Sequence, residues 1–131
     1  MFRGLDHVAI VVADTEASLK VWRDRFGFPV VLTEVVNEGT IRLTHLDLGN
    51  THLQLVQPLS EDHPLRDWLE KHGEGLHHLC LKVDHVDEAA EQAAERGLPP
   101  AERRPHQGTA GKQALFLDLK ATGNTQVELT G

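Results

Sequence analysis

The feature that most constrains this chain is an internal repeat. The stretch DHVAIVVAD (6–14) reads against HHLCLKVDH (77–85), with His7 falling on His78. Each run alternates like a strand and leads into a helical pattern, TEASLKVWRDRFG (15–27) in the first copy and VDEAAEQAAERG (86–97) in the second. Both patterns end in Gly, as a helix C-terminus favours. Acidic residues stand at the helix starts, Asp14 in one copy and Asp84 and Asp87 in the other, where carboxylates complement the positive end of the helix. Repetition at this length means that one supersecondary unit has been used twice.

After each helix come three strand-like stretches, about 28–36, 40–48 and 52–57 in the first half and about 100–104, 112–118 and 124–130 in the second. The closing strands match, THLQLVQ (51–57) against TQVELTG (125–131), which sets Gln54 on Glu128. Gly49-Asn50 and Gly123-Asn124 precede them and read as tight hairpin turns. Residues 58–75 read as a linker with a short helix that carries Leu65, Trp68 and Leu69 on one face. The expected organisation is a single domain over 1–131, with module one at about 1–57, the linker at 58–75 and module two at about 76–131. The fold class is α+β: two tandem βαβββ modules whose curved mixed sheets form a cleft able to hold a metal.

Strand side chains alternate between faces. Val8, Ile10 and Val12 would face the helix of the first module, leaving His7, Ala9 and Val11 opposite. In the second module Leu79, Leu81 and Val83 take the helix face, leaving His78, Cys80 and Lys82 opposite. Leu53 and Leu55, and likewise Val127 and Leu129, pack inward, so Gln54 and Glu128 point away from the helices. A single strand histidine is ordinarily structural, as is a lone strand Gln or Glu. Here four polar residues occupy two pairs of equivalent positions. Two imidazoles, an amide oxygen and a carboxylate form a reasonable shell for one divalent transition metal, with coordination positions left open for chemistry. His77 competes with His78, but the repeat and the alternation both favour His78. Ala9 and Cys80, small and on the same face, would leave room for a substrate.

Composition excludes several function classes. Net charge is −7 and tyrosine is absent, which argues against a basic, aromatic nucleic-acid surface. No run approaches the roughly 20 apolar residues of a membrane span, and MFRGLDHVAIVV lacks the charged lead and cleavage site of a signal peptide. The single cysteine, Cys80, suits a reducing compartment. The expectation is a cytoplasmic protein without nucleic-acid or membrane partners.

The segments LDHVAIVVAD, GNTHLQLVQPLS (49–60), GEGLHHLCLKVD (73–84) and the C-terminal VEL (127–129) together carry a resemblance. The chain resembles the vicinal oxygen chelate (glyoxalase/bleomycin resistance/dioxygenase) superfamily over nearly its whole length. Within that superfamily it is most similar to the methylmalonyl-CoA epimerases. The resemblance implies a metal held by His7, Gln54, His78 and Glu128, with Co, Zn, Mn or Ni all compatible, and an acyl-CoA substrate. It implies interconversion of the (2R) and (2S) forms by proton abstraction at C2, with Glu128 also a candidate base, and a homodimer. A glyoxalase-I-like lyase acting on a hemithioacetal and a non-catalytic, drug-sequestering protein are the alternatives.

The chain also departs from the pattern. Some members carry a second, substrate-facing glutamate, and NEGTIRL (37–43) aligns Arg42 with it. Arginine is no base at neutral pH, so either another group, such as Glu38 or a bound water, handles the opposite-face proton or the activity differs. Arg42 itself reads either as a partner for a substrate carboxylate or as a solvated strand arginine. The late His-Pro-Lys-Ser turn of the family is here DLKATGN (118–124), retaining Lys120. Arg103, Arg104, His106, Lys112 and Lys120 gather around HQGTAGK (106–112), a patch able to meet the phosphates of a CoA.

Overall fold

The computed structural model describes all 131 residues. Its elements run β1 (Phe2–Val11), α1 (Thr15–Leu19), β2 (Val30–Val36), β3 (Ile41–Asp47), β4 (His52–Pro58), α2 (Pro64–His72), β5 (Gly75–Val83), α3 (Val86–Glu95), β6 (His106–Gln107), β7 (Gln113–Phe116) and β8 (Val127–Thr130). The order is β-α-β-β-β twice, with α2 between. Contacts divide the chain into two compact units, Val8–His77 and a second made of Met1–His7 with His78–Gly131. No helix is long and apolar enough to cross a membrane.

In the Val8–His77 unit the strand order is β2-β3-β4-β1, with β2, β3 and β4 antiparallel. The turn between β3 and β4 forms at Gly49-Asn50, where Gly49 takes a φ of 93° and the Leu48 N–H meets the Thr51 carbonyl at 2.9 Å. Asp14 caps α1 by accepting from the Glu16 N–H at 3.0 Å. The helix then loosens into a π-helical stretch, Lys20–Arg25, in which the Phe26 N–H reaches back to the Val21 carbonyl. One face of this sheet packs Ile10, Val12, Leu46, Leu53 and Leu55 against Leu19 and Trp22. The other packs Ala9, Val11, Ile41, Leu43 and Val56 against Leu65, Trp68 and Leu69 of α2. The apolar stripe read on the linker helix is thus the stripe that covers this second face.

In the other unit the order is β1-β5-β8-β7-β6, with β5 parallel to β8 and the remaining described pairs antiparallel. The core is Val83, Val86, Ala89, Ala93, Leu115, Leu117 and Leu129, with Leu81 and Val127 against it. Leu79 shares the expected helix face, opposite Val127, but lies beyond the core and is 38 % exposed. Asp84 does not cap α3; it pairs with Arg3 at 2.6 Å, and His85 is the residue before the helix.

The strand expected at about 100–104 is reduced to one bridge, Pro100 to Leu117, and pairing with β7 begins only at His106. Pro99, Pro100 and Pro105 have no N–H to offer a ladder, which explains the shift. Gly123-Asn124 is likewise no hairpin turn. It ends a short 3₁₀ segment, Leu119–Thr122, with both residues left-handed (φ 62° and 65°).

Leu46 and Leu129 are fully buried, one in each unit. Truncating either to Ala is expected to cost about 2–5 kcal/mol, seen as a lower urea midpoint. Val31→Thr, at a half-exposed strand position, should stay within about 0.5 kcal/mol.

Candidate metal centre

Three of the four expected donors meet in the unit formed by Met1–His7 and His78–Gly131. His7 ends the β1 segment of this unit, His78 lies on β5 and Glu128 on β8. Their candidate donor atoms all lie within 4.8 Å of one another, and all three residues are buried (2 %, 8 % and 7 % exposed). His78 Nε2 stands 3.3 Å and His7 Nε2 3.9 Å from Glu128 Oε1. The two imidazoles meet edge to face with centroids 5.6 Å apart.

Neighbouring side chains set the orientation of these groups. His7 Nδ1 donates to Asp6 Oδ1 at 2.7 Å, which leaves Nε2 as the lone-pair nitrogen facing Glu128. A carboxylate behind a histidine in this way fixes the tautomer and raises ligand basicity. Burial alone would raise the Glu128 pKa. The hydrogen bond from His106 and the nearby imidazole of His78 outweigh it and hold the carboxyl well below the usual carboxylate range. Glu128 is therefore ionised at neutral pH. Two imidazoles and one ionised carboxylate, converging and buried, fit a divalent transition metal.

Gln54 belongs to the Val8–His77 unit, directly opposite His45 in the β3–β4 ladder. The Gln54 amide nitrogen lies 3.0 Å from His45 Nε2, and His45 Nδ1 lies 3.2 Å from His52 Nδ1. An amide nitrogen only donates, so His45 Nε2 accepts and its Nδ1 carries the proton. His45 is 1 % exposed and Gln54 4 %.

Arg42 is not on the Gln54 face. Its ladder partner is Gln57, whose side chain accepts from the Thr15 backbone N–H and hydroxyl at the start of α1. The Gln54 face of β3 carries Ile41, Leu43 and His45 instead. The alignment placed the arginine one residue away from that face, and a shift of one reverses the side of a strand. Glu38 lies exposed in the turn after β2 with a φ of 57°. Ala9 and Cys80 are both fully buried, Ala9 inside the apolar cluster beneath α2. Lys112 is half-exposed with its Nζ 3.9 Å from Asp6 Oδ2, and Lys120 is exposed on the Leu119–Thr122 segment.

His106, read in the sequence only as part of the basic patch, lies beside Glu128, with Glu102 behind it. His106 Nε2 lies 2.9 Å from Glu128 Oε2, and its Nδ1 lies 3.0 Å from both oxygens of Glu102. The only sequence signal for this pair is its spacing of four, from the stretch read as a strand at about 100–104 into the Gly-rich turn that follows.

Comparison with known proteins adds a family. The profile described as Glyoxalase/Bleomycin resistance protein/Dioxygenase superfamily matches residues 6–116. The chain belongs to this superfamily. Among its relatives is the ethylmalonyl-CoA/methylmalonyl-CoA epimerase of Cereibacter sphaeroides, 33 % identical and covering 98 % of each chain. The mitochondrial methylmalonyl-CoA epimerase of Mus musculus is 32 % identical over 95 % of this chain and 71 % of its own. A variant of the Streptomyces coelicolor methylmalonyl-CoA epimerase, solved in complex with 2-nitronate-propionyl-CoA, superposes with a TM-score of 0.89 at 31 % identity, covering 99 % of this chain and 97 % of that one.

Burial, and then the nearby charges of Glu128 and Asp6, push the Cys80 thiol well above its ordinary pKa. Only the thiolate reacts. A thiol titration with a disulfide reagent should find no reaction in the native protein and one thiol after urea. Fast labelling of native protein would contradict this geometry.

Proposed function

We propose that this member of the superfamily is a metal-dependent isomerase that epimerises methylmalonyl-CoA, or a close 2-acyl thioester, at C2. The observation that carries the reading is the convergence of His7, His78 and Glu128 donor atoms in one buried spot. The epimerases among the relatives, matched over nearly the whole chain, support the substrate class.

In this reading His7, His78 and Glu128 hold the ion, and Gln54 is the fourth ligand by resemblance. The C2 proton lies between a thioester carbonyl and a carboxylate, so its removal leaves an enolate-like dianion. A divalent ion supplies positive charge where that negative charge develops. The chain's own part is to keep the donors ready. Asp6 holds His7 with its lone pair inward, and His106 keeps the carboxylate ionised. Glu128 is assigned the ligand role and, as the resemblance implies, is kept as the candidate base. Arg42, on the α1 face, is left out of the site. Lys112 and Lys120 are kept as exposed cations able to meet CoA phosphates, and a homodimer is kept as the assembly.

Purified protein should bind about one Co, Zn, Mn or Ni ion per chain, and His78→Ala should abolish that binding. Metal-loaded protein in deuterated water should exchange the C2 hydrogen of methylmalonyl-CoA, read by mass spectrometry. No exchange with metal bound, beside turnover of a methylglyoxal–thiol hemithioacetal, would replace the epimerase with a lyase. Asp6→Asn should weaken metal affinity about 10–100-fold while the ion still binds, measured by chelator competition.

A further inference from the structure

The sheet brings an unforeseen group against Glu128. In the ladder of β6, β7 and β8, His106 pairs with Ala114 and Phe116 with Glu128. Residues two apart on a strand share a face, so His106, Ala114, Phe116 and Glu128 lie on one side of the sheet. The small Ala114 lets the imidazole lean toward Glu128. Gly108 permits the close approach of this segment, since a Cβ there would sit 3.0 Å from the Ala114 Cβ.

His106 is held at every edge. Its ring stacks on Phe116 with centroids 5.4 Å apart and planes 20° off parallel. Phe116 in turn meets His78 edge to face at 5.2 Å. Glu102, which grips His106 Nδ1, is itself fixed by the Phe116 backbone N–H, donated to its Oε2 at 2.8 Å. Both imidazole nitrogens face carboxylate oxygens, which only accept, so both nitrogens donate.

The two oxygens of Glu128 therefore have separate partners: Oε2 takes the His106 N–H, and Oε1 faces His78 and His7. We propose that the Glu102–His106 pair is a positioning device that ties down one oxygen of Glu128 and presents the other, alone, between His7 and His78. This rests on the ligand role assigned to Glu128 above. With Oε2 engaged, Glu128 is a one-oxygen donor, which keeps a further coordination position open for the substrate. His106 acts through Glu128, and Glu102 acts through His106.

The test uses the full chain and Co(II) alone, with affinity read by chelator competition and ligand geometry by the visible cobalt bands. His106→Leu is expected to weaken Co(II) binding about 10–100-fold and to change the bands, as Glu128 becomes free to bind through both oxygens. His106→Gln, whose amide can still donate to Oε2, should recover most of the affinity and the native spectrum. Glu102→Gln should fall between the two. Thermal melts of the metal-free variants separate misfolding from mispositioning, and His106→Gln carries the test if His106→Leu does not fold. Native affinity and spectrum in His106→Leu would overturn the proposal, as would equal loss in folded His106→Leu and His106→Gln. His78→Ala serves as reference. If it keeps native Co(II) affinity, the metal reading itself fails; if it loses binding while His106→Leu does not, only the positioning role fails.

Discussion

Bringing two imidazoles and a carboxylate together in a buried place is costly unless each is compensated. A buried ionised group without partners loses several kcal/mol of hydration. Compensation here comes from outside the trio. Asp6 takes the far nitrogen of His7, and His106, braced by Glu102, takes the far oxygen of Glu128. The inner atoms are left to face one another at 3.3 and 3.9 Å. Much of the second unit follows from that arrangement. The parallel pairing of β5 with β8 sets Cys80 opposite Glu128, and the antiparallel β7 sets Phe116 there too. The apolar core of Val83, Leu115 and Leu129 holds these strands in register.

What was legible in the chain was whatever two periodicities encode. The repeat set His7 on His78 and Gln54 on Glu128, and period-two alternation put Leu53, Leu55 and Leu129 into cores. The amphipathic spacing of Leu65, Trp68 and Leu69 identified the helix that covers the Val8–His77 sheet. These signals are local and redundant, so they survive uncertain boundaries.

What was not legible depended on exact register or on contacts made across loops. Arg42 was aligned by motif, and a single residue of slip separates it from the Gln54 face. The strand expected at about 100–104 failed because three prolines remove donors there. His106 and Glu102 carry no periodic signature; only the β6–β7–β8 ladder reveals that His106 reaches Glu128, with Glu102 behind it. His45 was hidden in the same way, since its partnership with Gln54 exists only once β3 and β4 are paired.

The proposed chemistry requires a cation shared by His7, His78 and Glu128. The most direct measurement is anomalous diffraction from crystals of cobalt-loaded protein, collected on either side of the cobalt edge. One strong peak within bonding distance of His7 Nε2, His78 Nε2 and Glu128 Oε1 is the predicted result. A map with no peak among these atoms, or with cobalt only on surface histidines, would contradict it.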